Sequence, residues 1–244
     1  MNCASCSSNN IDDKFYNCNL KGENFRLSKC SDCNLIYKTH PIKENINLLN
    51  GDYYKLKDIG NVIDKRFIKH FTKRSINHYR YINSFYTNQN KRALDIGCGA
   101  GFFLKELNRN DWKSKGIESD PLMFNYAQSL NLDIDNILFE DYEDQNKYGL
   151  IYLSHVLDDL PGLNKVLNKI SLLLDNKGLL FIEVPNFEWY KTFKKIKYED
   201  FSTGKYFFTR ETLIKSLSKH NFTSLNQYTF EPIHLNTFSQ MITS

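Results

Sequence analysis

No stretch of roughly 18 or more consecutive apolar residues occurs in the 244-residue sequence, which excludes a membrane-spanning helix. The opening residues, Met1-Asn2-Cys3-Ala4-Ser5-Cys6, lack both the basic and the apolar segments of a signal peptide, so the expected location is the cytoplasm. An excess of one charge is missing as well: 32 Lys+Arg stand against 28 Asp+Glu, a net of +4. That balance gives no electrostatic reason to expect nucleic acid as a partner, apart from a local basic patch. No internal repeat or low-complexity tract is visible. What the chain does have is 41% hydrophobic and 14% aromatic residues, enough for one large core plus an appendage and too much for disorder.

The six cysteines are placed unevenly. Four form two pairs, Cys3-x-x-Cys6 and Cys30-x-x-Cys33, with 23 residues between the pairs. In a reducing compartment such spacing points to metal and not to disulfides. Each Cys-x-x-Cys turn aims two thiolates at one point, and two such turns supply the four soft ligands of a tetrahedral zinc. The segment between them suits a hairpin, running from Phe15-Tyr16 to Phe25-Arg26-Leu27 with Lys21-Gly22-Glu23-Asn24 at its tip. This predicts a zinc ribbon over 1–38 whose Zn2+ is structural, with Cys18 as a packing residue.

A polar stretch follows, then Tyr53-Tyr54 and a long helical pattern from about Val62 to Phe85. Residues 39–88 therefore read as a helical linker or cap. Lys65, Lys69 and Lys73 share one face of that helix, which is either simply solvated or in contact with phosphates. From residue 89 onward strands and helices alternate. Strands are expected at Ala93–Ile96, Lys115–Glu118, Ile137–Phe139, Leu150–Leu153 and Leu179–Val184. Helices are expected at Gly101–Asn108, Pro121–Leu130, Leu163–Leu174 and Arg210–His220. A last strand, Thr223–Phe230, pairs with the tail at Thr237–Ile242. The alternation predicts an α/β fold with a parallel sheet covered by helices on both faces.

The segment Ala93-Leu94-Asp95-Ile96-Gly97-Cys98-Gly99-Ala100-Gly101 is an apolar strand running into a tight glycine turn and a helix start. Its G-x-G-x-G spacing differs from the G-x-G-x-x-G dinucleotide fingerprint, and no Gly-Lys-Ser/Thr follows, so a P-loop is excluded. Some twenty residues on, the next strand ends in Gly116-Ile117-Glu118, an acid placed to accept hydrogen bonds from ribose hydroxyls.

These residues resemble the class I S-adenosylmethionine (SAM)-dependent methyltransferases, and the resemblance continues in order along the chain. Phe139-Glu140-Asp141-Tyr142 is similar to the family's acidic turn, and Tyr148–Leu157 to its fourth-strand motif. The run from Leu174-Asp175-Asn176-Lys177-Gly178 to Pro185-Asn186 is similar to its fifth. The resemblance implies a Rossmann-like, seven-stranded sheet over 89–244. It also implies SAM held by Asp95, Gly97, Cys98, Gly99, Gly101, Glu118, Ser119, Asp141, Tyr142 and Ser154. His155 is the candidate general base, because an unperturbed imidazole titrates near operating pH; Glu183 and Tyr206 complete the candidate catalytic set. The segments 52–85 and 198–208 are expected to cover the acceptor.

The paired cysteines, Tyr53-Tyr54 and the Phe207–Leu213 stretch together resemble bacterial methyltransferases of nucleotide-sugar and surface-polysaccharide pathways. That implies a small-molecule acceptor, possibly a nucleotide-linked sugar, methylated at oxygen or carbon. No Asn/Asp-Pro-Pro-Tyr/Phe follows the fourth strand, which argues against amino-methylation of adenine or glutamine. Two alternatives stay open: an RNA methyltransferase gripping phosphates through the ribbon and the basic helix, and a non-catalytic SAM-fold protein that binds a partner.

Overall fold

The computed structural model describes residues 2–20, 23–38, 63–188, 204–230 and 237–243. Tyr53, Tyr54 and Tyr198, expected to cover the acceptor, lie outside the described residues. Among the described residues no helix is long and apolar enough to cross a membrane.

Three strands open the chain: β1 (Ile11–Leu20), β2 (Glu23–Cys30) and β3 (Ile36–Lys38). The expected hairpin is present, with β1 antiparallel to β2 from Ile11↔Cys30 to Leu20↔Glu23. Helix α1 (Lys65–Asn83) follows, its first turn capped by the Asp64 carboxylate accepting from the Phe67 N–H at 2.7 Å. Then come β4 (Arg92–Ile96), α2 (Phe102–Arg109), β5 (Lys113–Ile117), α3 (Pro121–Ser129) and β6 (Ile134–Asp135). Next are β7 (Tyr148–Ser154), α4 (Leu163–Leu173), β8 (Leu174–Pro185), β9 (Tyr206–Phe207), α5 (Arg210–Ser218), β10 (Thr223–Phe230) and β11 (Thr237–Thr243).

The larger sheet has seven strands in the order β10-β11-β8-β7-β4-β5-β6. The ladders of β4 with β5 and β7, and of β5 with β6, are parallel, while β10 and β11 pair antiparallel. The α/β methyltransferase-type sheet expected from the sequence is therefore observed. The third strand differs in place, at Ile134–Asp135 and not at Ile137–Phe139. The reason is local. Asn136 turns its side-chain amide onto the Glu118 carbonyl at 2.8 Å and ends the ladder, and Phe139 is buried in a short 3-10 turn over Phe139–Asp141.

The chain divides into two compact units. One comprises Met1–Glu44, Ser154–Ser171 and Ile182–Thr243; the other comprises Asn45–Leu153 and Leu172–Phe181. In the second unit α1 packs on α2, and the Tyr152 ring stacks between Phe103 at 3.9 Å and Phe181 at 5.0 Å. His78 of α1 reaches the Tyr152 hydroxyl through Nδ1 at 2.7 Å. Rings packed this way contribute beyond their buried area and give the helix a fixed rotation on the sheet. In the first unit a four-stranded sheet has the order β1-β2-β3-β9. It joins the first forty residues to a two-residue strand more than 160 positions later, through Ile36↔Phe207 and Tyr37↔Tyr206.

Candidate active site and four-cysteine cluster

The glycine turn starts where β4 leaves the sheet. Gly97, Gly99 and Gly101 all have positive φ, at 68°, 54° and 74°. The two outer jobs of the turn separate cleanly. A Cβ on Gly101 would stand 2.4 Å from Leu132 Cδ1 and 3.1 Å from Ala127 Cβ, so this glycine permits close packing of the chain that follows. A Cβ on Gly99 would meet nothing within 4 Å, so the turn is open at that point. Cys98 points the other way: a Cβ built on Gly116 would come within 2.7 Å of its sulfur, and burial pushes its thiol well up. Its backbone N–H donates to the Ile117 carbonyl at 3.0 Å, and its carbonyl accepts the Gly101 N–H at 3.0 Å.

Glu118, at the end of β5, accepts the Gly99 N–H through Oε2 and the Asp120 N–H through Oε1, both at 2.7 Å. Ser119 beside it is half-buried. Asp95, the penultimate residue of β4, is 1% exposed, and its Oδ1 has no hydrogen-bond partner in the structure. Burial, and next the neighbouring Glu118 charge, holds the Asp95 carboxyl well above the usual carboxylate range. An orphaned acceptor, a second carboxylate and an open glycine turn form a cradle that fits a ligand rich in donors, such as a ribose diol or an ammonium group.

Asp141 is exposed on the 3-10 turn, free for a ligand. Tyr142 requires a correction. Its ring is 2% exposed, and its hydroxyl lies 2.8 Å from Asp144 Oδ2 and 2.7 Å from the Tyr148 hydroxyl. The resemblance implied a contact with SAM, but Tyr142 faces inward because the half-buried carboxylate of Asp144 takes donors from both tyrosines.

In the other unit Ser154, His155 and Glu183 come together. The Ser154 hydroxyl donates to Glu183 Oε2 at 2.6 Å, and His155 Nε2 stands 3.9 Å from the same oxygen. The His155 backbone N–H donates to the Glu183 carbonyl at 2.8 Å. Glu183 is 3% exposed while the His155 side chain is 27% exposed, so the carboxylate is held inside and the imidazole is presented outward. His155 also has φ +57°, a left-handed conformation uncommon outside glycine, though histidine adopts it more often than most residues. Strain of this kind persists where surrounding bonds hold a residue in place.

The hydroxyl of Tyr206, grouped with them from sequence, is engaged by a different partner. Its ring is buried in β9 and its hydroxyl accepts the Leu163 N–H at 3.2 Å, satisfying a donor at the start of α4. It is a helix-capping residue. Sequence reasoning gave no site role to Asp158 and Asp159, whose Oδ1 atoms are both buried without a hydrogen-bond partner. Burial and next the Asp159 charge raise Asp158 well above its ordinary value. Burial pushes Asp159 up to about 6 against the opposing charges of Lys38 and Lys205. Two adjacent acids after an apolar strand were the available signal.

The four paired cysteines are also brought together. Their sulfurs all lie within 4.8 Å of one another, and Cys3, Cys30 and Cys33 are buried. Sulfur separations of 3.5 Å for Cys3–Cys33 and 3.4 Å for Cys6–Cys30 approach the roughly 3.8 Å edge of a tetrahedron of zinc–thiolate bonds. Without a cation, burial raises the Cys3 and Cys33 thiols; a cation would favour their deprotonated forms. The residues fit a structural metal.

A methyltransferase-domain family matches residues 66–227, about two thirds of the chain. The chain belongs to this family. Among curated proteins, it is 24% identical over 106 residues to the ubiquinone biosynthesis O-methyltransferase of Rhodopseudomonas palustris strain TIE-1, covering 40% of this chain and 41% of that protein. It is 31% identical over 108 residues to the protein of the same name from Glaesserella parasuis serovar 5, covering 39% and 46%. The chain thus aligns with less than half the length of these curated relatives. Among solved structures it is similar to the N-methyltransferase NodS of Bradyrhizobium japonicum WM9 in complex with S-adenosyl-L-homocysteine (SAH). That likeness has a TM-score of 0.59 at 15% identity, covering 80% of this chain and 98% of that one. A SAM-dependent methyltransferase from Archaeoglobus fulgidus gives a TM-score of 0.58 at 17% identity, covering 79% and 100%. What is shared with both is the SAM-dependent methyltransferase fold.

Proposed function

We propose that the protein transfers the methyl group of SAM to a hydroxyl-bearing small molecule of the sugar or nucleotide-sugar class. The observation that carries the cofactor half is the open, positive-φ turn at Gly99, tied by its N–H to the Glu118 carboxylate. Bound SAM supplies a methyl group on a cationic sulfonium, a good leaving group once a nucleophile is in line. The turn at 97–101 offers backbone to the methionine end, Glu118 accepts from the ribose hydroxyls, and Asp95 offers its unpartnered oxygen. Exposed Asp141 is the candidate contact for the adenine amino group.

For the acceptor half, His155 takes the hydroxyl proton onto its imidazole as the oxygen attacks. Glu183, 3.9 Å from Nε2, stabilises the resulting imidazolium, and Ser154 fixes the carboxylate through its 2.6 Å hydrogen bond. The relatives named for O-methylation support a hydroxyl acceptor; the motifs at 3–33 and 207–213 support a sugar. The same reading places one structural zinc on Cys3, Cys6, Cys30 and Cys33.

Helix α1 favours a second reading, because Lys65, Arg66, Lys69, Lys73, Arg74 and Arg80 occur on it with no acidic residue. An RNA methyltransferase would use those cations on phosphates. Incubation with radiolabelled SAM and either nucleotide-sugars or total RNA separates the two. Label in the sugar fraction supports the proposal. Label in RNA, falling steeply with salt, replaces it.

A further inference from the structure

The cysteine cluster is joined to the His155 loop by an unbroken series of backbone bonds within one unit. Cys30 ends β2 and donates its N–H to the Leu35 carbonyl at 3.0 Å, closing the turn that leads into β3. β3 pairs with β9, and past that pairing the Lys38 N–H donates to the Lys205 carbonyl at 3.0 Å. The Lys205 and Tyr206 N–H groups in turn both donate to the Asp158 carbonyl, at 2.8 and 3.1 Å. Asp158 is three residues beyond His155. A second tie reaches α5: Ser5, between the first two cysteines, lies 2.8 Å from Ser216 through their hydroxyls, both buried.

The lengths of these pieces decide what depends on what. β9 has two residues and β3 has three, and strands so short do not hold themselves. In the four-stranded sheet β9 has β3 as its neighbour, and β3 is held on its other side by β2. The end of β2 is a ligand position of the cluster. A lobe this small gains order from a metal bound at the end of β2. Lys38 and Lys205, the last residue of β3 and the residue before β9, also provide the charges that oppose the burial of Asp159. Glu118, Asp95 and the glycine turn belong to the other unit and take no part in this chain of bonds.

We infer that metal loading of the four-cysteine site acts as a clamp on the His155–Asp159 loop. The loaded cluster orders β3 and β9, and β9 with Lys205 holds the loop through the Asp158 carbonyl. Loss of the metal releases the acceptor-side loop and leaves cofactor binding intact. The inference rests on the zinc reading above and on His155 serving the acceptor.

Hydrogen–deuterium exchange on the full-length protein tests it, with and without a zinc chelator, beside metal analysis and calorimetric titration with SAH. Chelation should speed exchange about tenfold or more at the His155, Lys205 and Tyr206 amides. Exchange over 95–104 should stay unchanged, SAH affinity should hold within about twofold, and added zinc should reverse the effect. Lys38→Pro removes the N–H given to Lys205 while keeping every cysteine. It should retain about one zinc per chain and still show fast exchange at 155–160 and 204–207. If the purified protein holds zinc but exchange changes stay confined to residues 2–38, both on chelation and in Lys38→Pro, the clamp alone is overturned. Chelation that abolishes SAH binding overturns it too, by showing that the loop is not selectively released. Protein that binds no metal overturns the zinc reading and the clamp together.

Discussion

The Glu118 carboxylate accepts the Gly99 N–H at 2.7 Å, tying the end of one strand to the turn that follows its neighbour. One carboxylate thus shapes the turn and remains a charged acceptor beside it. Replacing Glu118 by Ala removes both roles and should weaken SAM by about 1.5–3 kcal/mol, roughly 10- to 150-fold in Kd. Calorimetry reads this directly, and an affinity within twofold of wild type would count against the role.

Gly99 and Gly101 should fail in different ways. Gly101→Ala drives a methyl group against Leu132 and Ala127 at a positive φ and should lower thermal stability. Gly99→Ala meets only open space and should cost about 1–2 kcal/mol of backbone strain, while its methyl group obstructs the cofactor. Melting curves and SAH titrations on both variants check the distinction.

His155 carries the left-handed conformation as well as the imidazole, so glycine is the informative replacement. His155→Gly relieves the backbone and should hold or raise stability, by up to about 1 kcal/mol. Its kcat should nonetheless fall about 10²- to 10⁴-fold with SAM affinity nearly unchanged. A loss of less than tenfold would remove His155 from the proton transfer.

The Asp159 carboxyl is raised from 3.8 to about 6, chiefly by burial, so the folded state holds a proton that the unfolded chain has released across that interval. Stability from this group therefore falls as pH rises from about 4 through 6 and stays low above it, by on the order of 3 kcal/mol. Asp159→Asn cannot ionise. Its stability advantage over wild type in urea denaturation should grow between pH 4.5 and 7 and then level off, whereas a constant gap would contradict the burial of this acid.

Much of this architecture was legible in the sequence because it is local. The Asp95–Gly101 turn, the strand-and-helix alternation and the pairing of Thr223–Phe230 with the tail follow from periodicity and turn chemistry. The Cys-x-x-Cys spacing likewise brought four sulfurs together as expected. What escaped is non-local or depends on which way a side chain turns. Nothing in Tyr206-Phe207 announces a strand, since two residues acquire that state only from Tyr37 and Ile36 far away in the chain. Tyr142 sits in a motif that suggests a ligand contact, yet Asp144 and Tyr148 draw its hydroxyl inward. The buried, unpartnered Oδ1 atoms of Asp158 and Asp159 are visible only once the fold encloses them.

The central claim is that the glycine turn and Glu118 hold SAM. Titration of SAM and SAH into the wild-type, metal-loaded protein tests it most directly, with Gly99→Ala and His155→Gly beside it. The account predicts saturable one-to-one binding by wild type and His155→Gly, and none by Gly99→Ala of unchanged fold. Folded wild-type protein that takes up neither compound, or Gly99→Ala that binds them as tightly as wild type, would contradict it.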